Sequence, residues 1–267
     1  MRVTSIQLEL RPETKAQTLE RVLGELDRAV GSDLLLLPEL WSCGYFSFNR
    51  YRDDSETLTG PLLSAIADKA RLLRAHIFAG SLVECRGSDL FNTSVLLSPS
   101  GQILATYRKI HLFGFQSDER RLLTAGDHVT VVDTPWGRTG LTTCYDLRFP
   151  ELYRRMLDQG ASVFLVTSAW PQARLEAWRL FNRARAHENL AYLISCNCAG
   201  INNNVTLAGH SMVVDPLGAV VAEAGETGCQ LSAEIDPQMV AQARHTFTAI
   251  HDRVPFLNPP LSHSSPT

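Results

Sequence analysis

GLTTCYDLRFPELYR, residues 140–154, changes character at its middle. Arg138 to Thr143 reads as a strand, paired in a hairpin with Val129 to Asp133 across a turn at Pro135-Trp-Gly137. Glu151 to Gln159 reads as a helix, ended by Gly160. Cys144 stands at the break, where backbone N–H groups leading into the helix lie near its sulfur. Such groups stabilise a thiolate, and later an oxyanion. A thiol at neutral pH is mostly protonated, so a nucleophilic cysteine needs a base or a cation beside it. Taken alone, Cys144 is more often a buried structural thiol than a nucleophile.

Working outward, two other apolar runs end in polar or aromatic groups: LLLLPE at Glu39 and FLVTSAW at Trp170. In α/β sheets pockets form outside the carboxyl ends of strands, so groups far apart in sequence can meet there. A carboxylate directly after four leucines and a proline is poorly solvated. Desolvation raises its pKa and suits it to general-base work; the alternative is a strand-end glutamate turned to water. TYRKIHLFG places Arg108 and Lys109 between a strand and an apolar stretch, with one of the two free to point inward. Glu119 lies in the polar stretch QSDERR, where exposure to solvent is the natural expectation. His111 has no metal-ligand spacing to any Cys, Asp or Glu and is expected to be structural.

The remaining pattern interleaves strands and helices. Val3–Leu8 alternates as a strand, Glu13–Val30 has apolar residues at helical spacing, and Asp33–Leu37 suits a buried strand. Pro61–Ala75 is a helix with proline near its first turn. Ile77–Val83, Thr93–Leu97 and Ile103–Tyr107 are strands, the last two joined through Ser98-Pro-Ser-Gly101. Ser162–Thr167 is a strand, Arg174–Leu190 a long helix, and Tyr192–Asn197, Ser211–Asp215, Ala219–Ala222 and Gln230–Ile235 complete the strand set. The frequent hairpins point to a mixed sheet with helices outside, or to two sheets face to face. Asn202-Asn-Asn-Val-Thr206 reads as a polar loop. No linker divides the chain, so one domain is expected over residues 1–257, with 258–267 a disordered tail of low apolar content.

Composition limits the function classes. The 267 residues are 45% hydrophobic and 20% charged, with a net charge of −3 and scattered basic residues. That is an ordinary globular composition with no nucleic-acid surface. No stretch approaches the roughly 18 apolar residues that span a bilayer, and MRVTSIQLEL lacks the apolar core of a secretory signal. The expected location is the cytoplasm, where the six cysteines stay reduced. Cys196 and Cys198, two apart in AYLISCNC, are expected on one face as packing thiols.

Four segments together resemble the nitrilase, or carbon–nitrogen hydrolase, superfamily. LLLLPEL is similar to its base motif, YRKIHLF to its lysine motif, CYDLRFPE to its nucleophile motif, and ERRLLTAGD to the segment carrying its second glutamate. RARAHENLAY and GHSMVVDPLG follow in the family's order, so the resemblance covers roughly residues 1–255. It implies an α/β fold, a four-layer α-β-β-α sandwich, and a homodimer that extends the sandwich through helices. It implies no metal and no organic cofactor. By the resemblance Cys144 is the nucleophile, Glu39 the base, and Lys109 with the backbone N–H of Tyr145 the oxyanion donors, while Glu119 orients Lys109 or the substrate. CYDLRFPE and SAWP look most like the omega-amidase branch, which implies hydrolysis of the terminal amide of a 2-oxo acid such as 2-oxoglutaramate. A deaminated-glutathione amidase, a short aliphatic amidase or nitrilase, and a non-catalytic binding protein on the same fold are the alternatives. The distal carboxylate of such a substrate needs a cation. Arg148 is the candidate, unless an internal salt bridge holds it, and Tyr45 and Trp170 are candidate pocket walls.

Overall fold

A computed structural model describes residues 1–254. In chain order its elements are β1 (Arg2–Gln7), β2 (Glu9–Leu10), α1 (Lys15–Arg28), β3 (Leu34–Leu36), α2 (Tyr51–Asp54), α3 (Pro61–Leu73), β4 (His76–Arg86), β5 (Asp89–Leu97), β6 (Ile103–Arg108), α4 (Glu119–Leu122), β7 (Val131–Thr134) and β8 (Gly137–Thr143). The second half adds α5 (Pro150–Asp158), β9 (Val163–Ser168), α6 (Leu175–Asn189), β10 (Tyr192–Asn197), β11 (Ala199–Asn202), β12 (Val205–Ala208), β13 (Met212–Val214), β14 (Val220–Glu223), β15 (Cys229–Glu234) and α7 (Gln238–Thr246).

Two six-stranded mixed sheets carry the fold, ordered β15-β1-β3-β4-β5-β6 and β14-β13-β10-β9-β8-β7. The alternation within the leucine run shows how they stack. Leu35 and Leu37 pack with Val22 and Leu26 of α1 and Leu63 and Ile66 of α3. Leu34 and Leu36 point the other way, into a core shared with Val163, Leu165, Tyr192 and Ile194 of the second sheet. Successive side chains of a strand face opposite ways, so β3 is buried on both faces, as its continuous apolar run requires. Met156 of α5 and Trp178 and Ala186 of α6 cover the outer face of the second sheet. The result is the four-layer α-β-β-α sandwich.

Several expectations change. Residues 202–206 are the tip of a hairpin rather than a loop: β11 and β12 pair antiparallel, and β2 adds a third strand to them. Asn203 and Asn204 turn the hairpin at φ of +46° and +63°, a conformation asparagine tolerates better than most residues and two-residue hairpins require. Helix α7 has no sharp apolar period to announce it; only Val240 and Ala243 are buried. Cys196 and Cys198 are both buried and do face one way, towards the carbonyl oxygens of Ile6 at 3.2 Å and Glu39 at 3.7 Å. The segment 258–267, expected to be a disordered tail, lies outside the described residues.

Candidate active site

The carboxyl ends of β3, β8 and β9 converge, and the chain leaving each supplies the site. β3 and β8 lie in different sheets, so Glu39 reaches across the sandwich: its N–H donates to the Ser168 carbonyl at 3.2 Å. A bulge in β4 makes room for this crossing. Gly80 sits at φ +67°, and a Cβ there would lie 2.1 Å from the Pro38 carbonyl oxygen. Only glycine meets both demands.

Glu39, Lys109 and Glu119 form a fully buried triad of charges. Lys109 Nζ donates to Glu39 Oε1 at 2.9 Å and to Glu119 at 2.8 Å (Oε1) and 3.0 Å (Oε2). Asn92 Nδ2 bridges the same two carboxylates, at 2.8 Å to Glu39 Oε1 and 3.1 Å to Glu119 Oε1. Ala169 N–H fills Glu39 Oε2 at 2.9 Å, and Phe113 N–H and the Tyr45 hydroxyl fill Glu119 Oε2 at 2.7 and 3.1 Å. The exposure expected of Glu119 is therefore overturned. QSDERR does form a surface turn with the short helix α4, but the first residue of that helix points inward and meets Lys109. Of the pair Arg108-Lys109, the strand alternation sends Lys109 to the site and Arg108 to Glu84.

Cys144 opens a tight 3-10 turn, Cys144–Arg148, at φ +50°. The first N–H groups of such a turn have no partner within it. Asp146, buried in the turn, ties it to the lysine strand. It accepts from Thr143 N–H at 3.0 Å, the Tyr107 hydroxyl at 2.7 Å, and His111 N–H and Nδ1 at 3.2 and 2.7 Å. Tyr107 and His111 flank Lys109 by two residues on each side, so one carboxylate fixes the thiol and the ammonium relative to each other. His111 is thus structural, stacked on Phe149 at 3.7 Å.

The electrostatics follow from burial. Desolvation raises the Glu39 carboxyl above the ordinary 4.5; Lys109 opposes this and Glu119 adds to it. For Lys109, burial works against the charged form, but Glu119 and Glu39 outweigh it and hold the ammonium well above the usual lysine value. Burial, with the Glu39 charge second, pushes the Cys144 thiol up, and Lys109 pulls it back. The resting arrangement is a protonated thiol beside a carboxylate of raised proton affinity and a fixed cation. It can move a proton from sulfur to oxygen and hold negative charge on whatever the sulfur attacks.

Cys144 borders a cavity of about 30 Å³ lined by Tyr45, Phe46, Phe113, Tyr145, Arg148, Ala169, Trp170, Pro171 and Arg174. The candidate walls Tyr45 and Trp170 and the candidate cation Arg148 all border it. Arg148 has no carboxylate within ion-pair distance among the described residues; its guanidinium lies 5.1 Å from the rings of Trp170 and Phe181. Arg174, which sequence reasoning passes over, is a second such cation, 5.0 Å from the Phe113 ring. Trp170 Nε1 holds its carbonyl at 2.8 Å. Asn92 is also missed, although an amide inside the apolar strand LFNTSVLL is itself a signal, because a buried amide needs partners.

The carbon–nitrogen hydrolase family profile matches residues 2–245. The 2-oxoglutaramate amidase of Paenarthrobacter nicotinovorans is 39% identical over 230 residues, 83% of this chain and 78% of that protein. The omega-amidase NIT3 of Saccharomyces cerevisiae is 31% identical over 265 residues, covering 91% of this chain and 90% of its own. The crystal structure of Saccharomyces cerevisiae Nit3, described as a member of branch 10 of the nitrilase superfamily, superposes with a TM-score of 0.84 at 27% identity, over 99% of this chain and 96% of that one. With a family match over nearly the whole described chain and relatives of more than 30% identity, the chain belongs to the carbon–nitrogen hydrolase family.

Proposed function

We propose that this protein is an amidase that hydrolyses the terminal carboxamide of a small 2-oxo dicarboxylate, of which 2-oxoglutaramate is representative, to the acid and ammonia. The observation that carries this is the pairing of a buried Glu39–Lys109–Cys144 centre with two arginines in one small cavity, Arg148 and Arg174, that have no carboxylate partner among the described residues. The names of the relatives support the same substrate. A cavity this small favours a compact acid amide over a peptide-sized one such as deaminated glutathione.

Glu39 takes the Cys144 proton, and the sulfur attacks the amide carbon. Once Glu39 is protonated its charge is gone, and Lys109 is the charge left to stabilise the anion. Lys109 Nζ and the Tyr145 N–H donate to the tetrahedral oxyanion; a donor of this kind contributes about 3 kcal/mol. Glu39 returns the proton to the departing nitrogen, the C–N bond breaks, and ammonia leaves a thioester on Cys144. Water then attacks the thioester, giving its proton to Glu39. The C–S bond breaks and the proton returns to sulfur. Glu119 and Asn92 hold Lys109 and Glu39 in place throughout. Arg148 and Arg174 receive the distal carboxylate, and Tyr45 and Trp170 enclose the chain between.

Intact-mass measurement after brief exposure to 2-oxoglutaramate should show an acyl adduct on the wild type and none on Cys144→Ala, which should release no ammonia. Undiminished release by the variant removes Cys144 from the mechanism. We also infer a cytoplasmic homodimer. The cytoplasm fits the absence of disulfides among the described cysteines. The dimer is supported by Leu180 on the outer face of α6 and Leu217 in the turn beside it, 63% and 53% exposed. Light scattering at micromolar concentration should give twice the chain mass, and Leu180→Glu should give the single mass.

A further inference from the structure

We propose that the tip of the β11–β12 hairpin sets the substrate specificity of the cavity by clamping Phe46, so that Asn202 and Asn203 are positioning residues for an aromatic wall. The inference rests on the amidase function proposed above. Phe46 lines the cavity with Cys144, yet both polar groups of its backbone are held from outside it. Its N–H donates to Asn202 Oδ1 at 2.6 Å, and its carbonyl accepts from Asn203 Nδ2 at 2.7 Å. Asn202 Nδ2 also donates to Ser47 Oγ at 3.0 Å, so one side chain holds both the wall residue Phe46 and the residue after it.

The clamp acts on Phe46 and not on its neighbour. Tyr45 is anchored separately: the Tyr51 hydroxyl donates to its carbonyl at 2.5 Å, and its own hydroxyl reaches Glu119 and Ser117. Glu39, Lys109, Glu119 and Cys144 have no hydrogen bond to Phe46, Asn202 or Asn203 among the described residues. Releasing the clamp therefore moves one wall of the cavity and leaves the charge triad in place. The approach is close enough to need a glycine. Gly44 lies at φ +83°, and a Cβ there would meet Asn202 Nδ2 at 2.7 Å. Both asparagines reach the wall only because the hairpin makes its left-handed two-residue turn at Asn203-Asn204, which aims their amides back across the sheet edge. Phe46 then presses its ring edge against Tyr45, centroids 4.8 Å apart, and excludes amides bulkier than an unbranched acid chain.

The test uses the full chain and four variants: Asn202→Ala, Asn203→Ala, Gly44→Ala and, as the conservative replacement, Asn202→Asp, which keeps the acceptor for Phe46 N–H. Steady-state ammonia release is measured with 2-oxoglutaramate and with a branched amide. Cys144 labelling is measured with iodoacetamide and with a bulky maleimide. The two alanine variants at the tip and Gly44→Ala should raise KM for 2-oxoglutaramate by about tenfold with kcat changed less than about twofold, the pattern of lost positioning rather than lost chemistry. The maleimide-to-iodoacetamide labelling ratio should rise by about the same factor, and Asn202→Asp should restore both. A wild-type KM and a wild-type labelling ratio in all three clamp variants overturn the proposal, as does a fall in kcat and in iodoacetamide labelling together at unchanged KM. If the wild type hydrolyses no amide, the assigned function fails, while the labelling ratio still decides the clamp.

Discussion

At the residue scale the proposed chemistry depends on the state of Glu39. Burial raises its carboxyl, so as pH falls it gains a proton earlier than an ordinary glutamate and can no longer accept the one on Cys144. Therefore kcat/KM should fall through an acid limb whose apparent pKa lies above the ordinary glutamate value of 4.5. That limb belongs to the coupled centre rather than to one group. Because Lys109 is held well above its ordinary value, its deprotonation should not produce an alkaline limb in the accessible range. Glu39→Gln should lower kcat by about a thousandfold and abolish the acid limb. An acid limb that persists in the variant would assign the base elsewhere. Glu39 is legible in the sequence because a carboxylate ending a run of leucines is anomalous. Glu119 is not legible from local pattern, because QSDERR is polar throughout; only the resemblance of ERRLLTAGD to the family's second-glutamate segment points to it, and the packing of α4 shows that it turns inward.

At the scale of elements, the site is a meeting of strand ends, and its precision depends on how the strands are interrupted. The bulge at Gly80 lets Pro38-Glu39 cross β4 towards the second sheet. Gly80→Ala places a methyl against the Pro38 carbonyl and forces φ into strain. It should cost about 2–4 kcal/mol of stability by urea unfolding and reduce kcat at least about tenfold by displacing Glu39. A variant that keeps wild-type kcat would show that the crossing is not set by this bulge. Asp146 plays the corresponding part between β6 and β8. Most strands and the long helices are legible from period and punctuation. The hairpin at 199–208 is not, because its tip is an unbroken run of asparagines. An asparagine pair is as much a turn signal as a loop signal, and only the partner strand β2 distinguishes them.

At the scale of the whole molecule, two sheets with leucine, valine and isoleucine on both faces must each be covered twice, and the four-layer order is the arrangement that does so. The sequence shows interleaved helices and hairpins, which are compatible with one mixed sheet or two. The choice is made by the core that Leu36 shares with Leu165, residues distant in the chain whose meeting leaves no local trace. The same layering brings the leucine-run exit of one sheet against the cysteine exit of the other. The left-handed backbone of Cys144 carries a consequence for heat resistance. A side chain at φ +50° gives up folding free energy that glycine would keep, so Cys144→Gly should outlast Cys144→Ala in thermal melting. The expected margin is about 0.5–1 kcal/mol, since glycine's greater freedom in the unfolded chain returns part of the relief. If alanine melts at the higher temperature, the turn is unstrained; if glycine does, the chain gives up thermal endurance to present a sulfur at the head of that turn, and selection for heat tolerance alone would erase its chemistry.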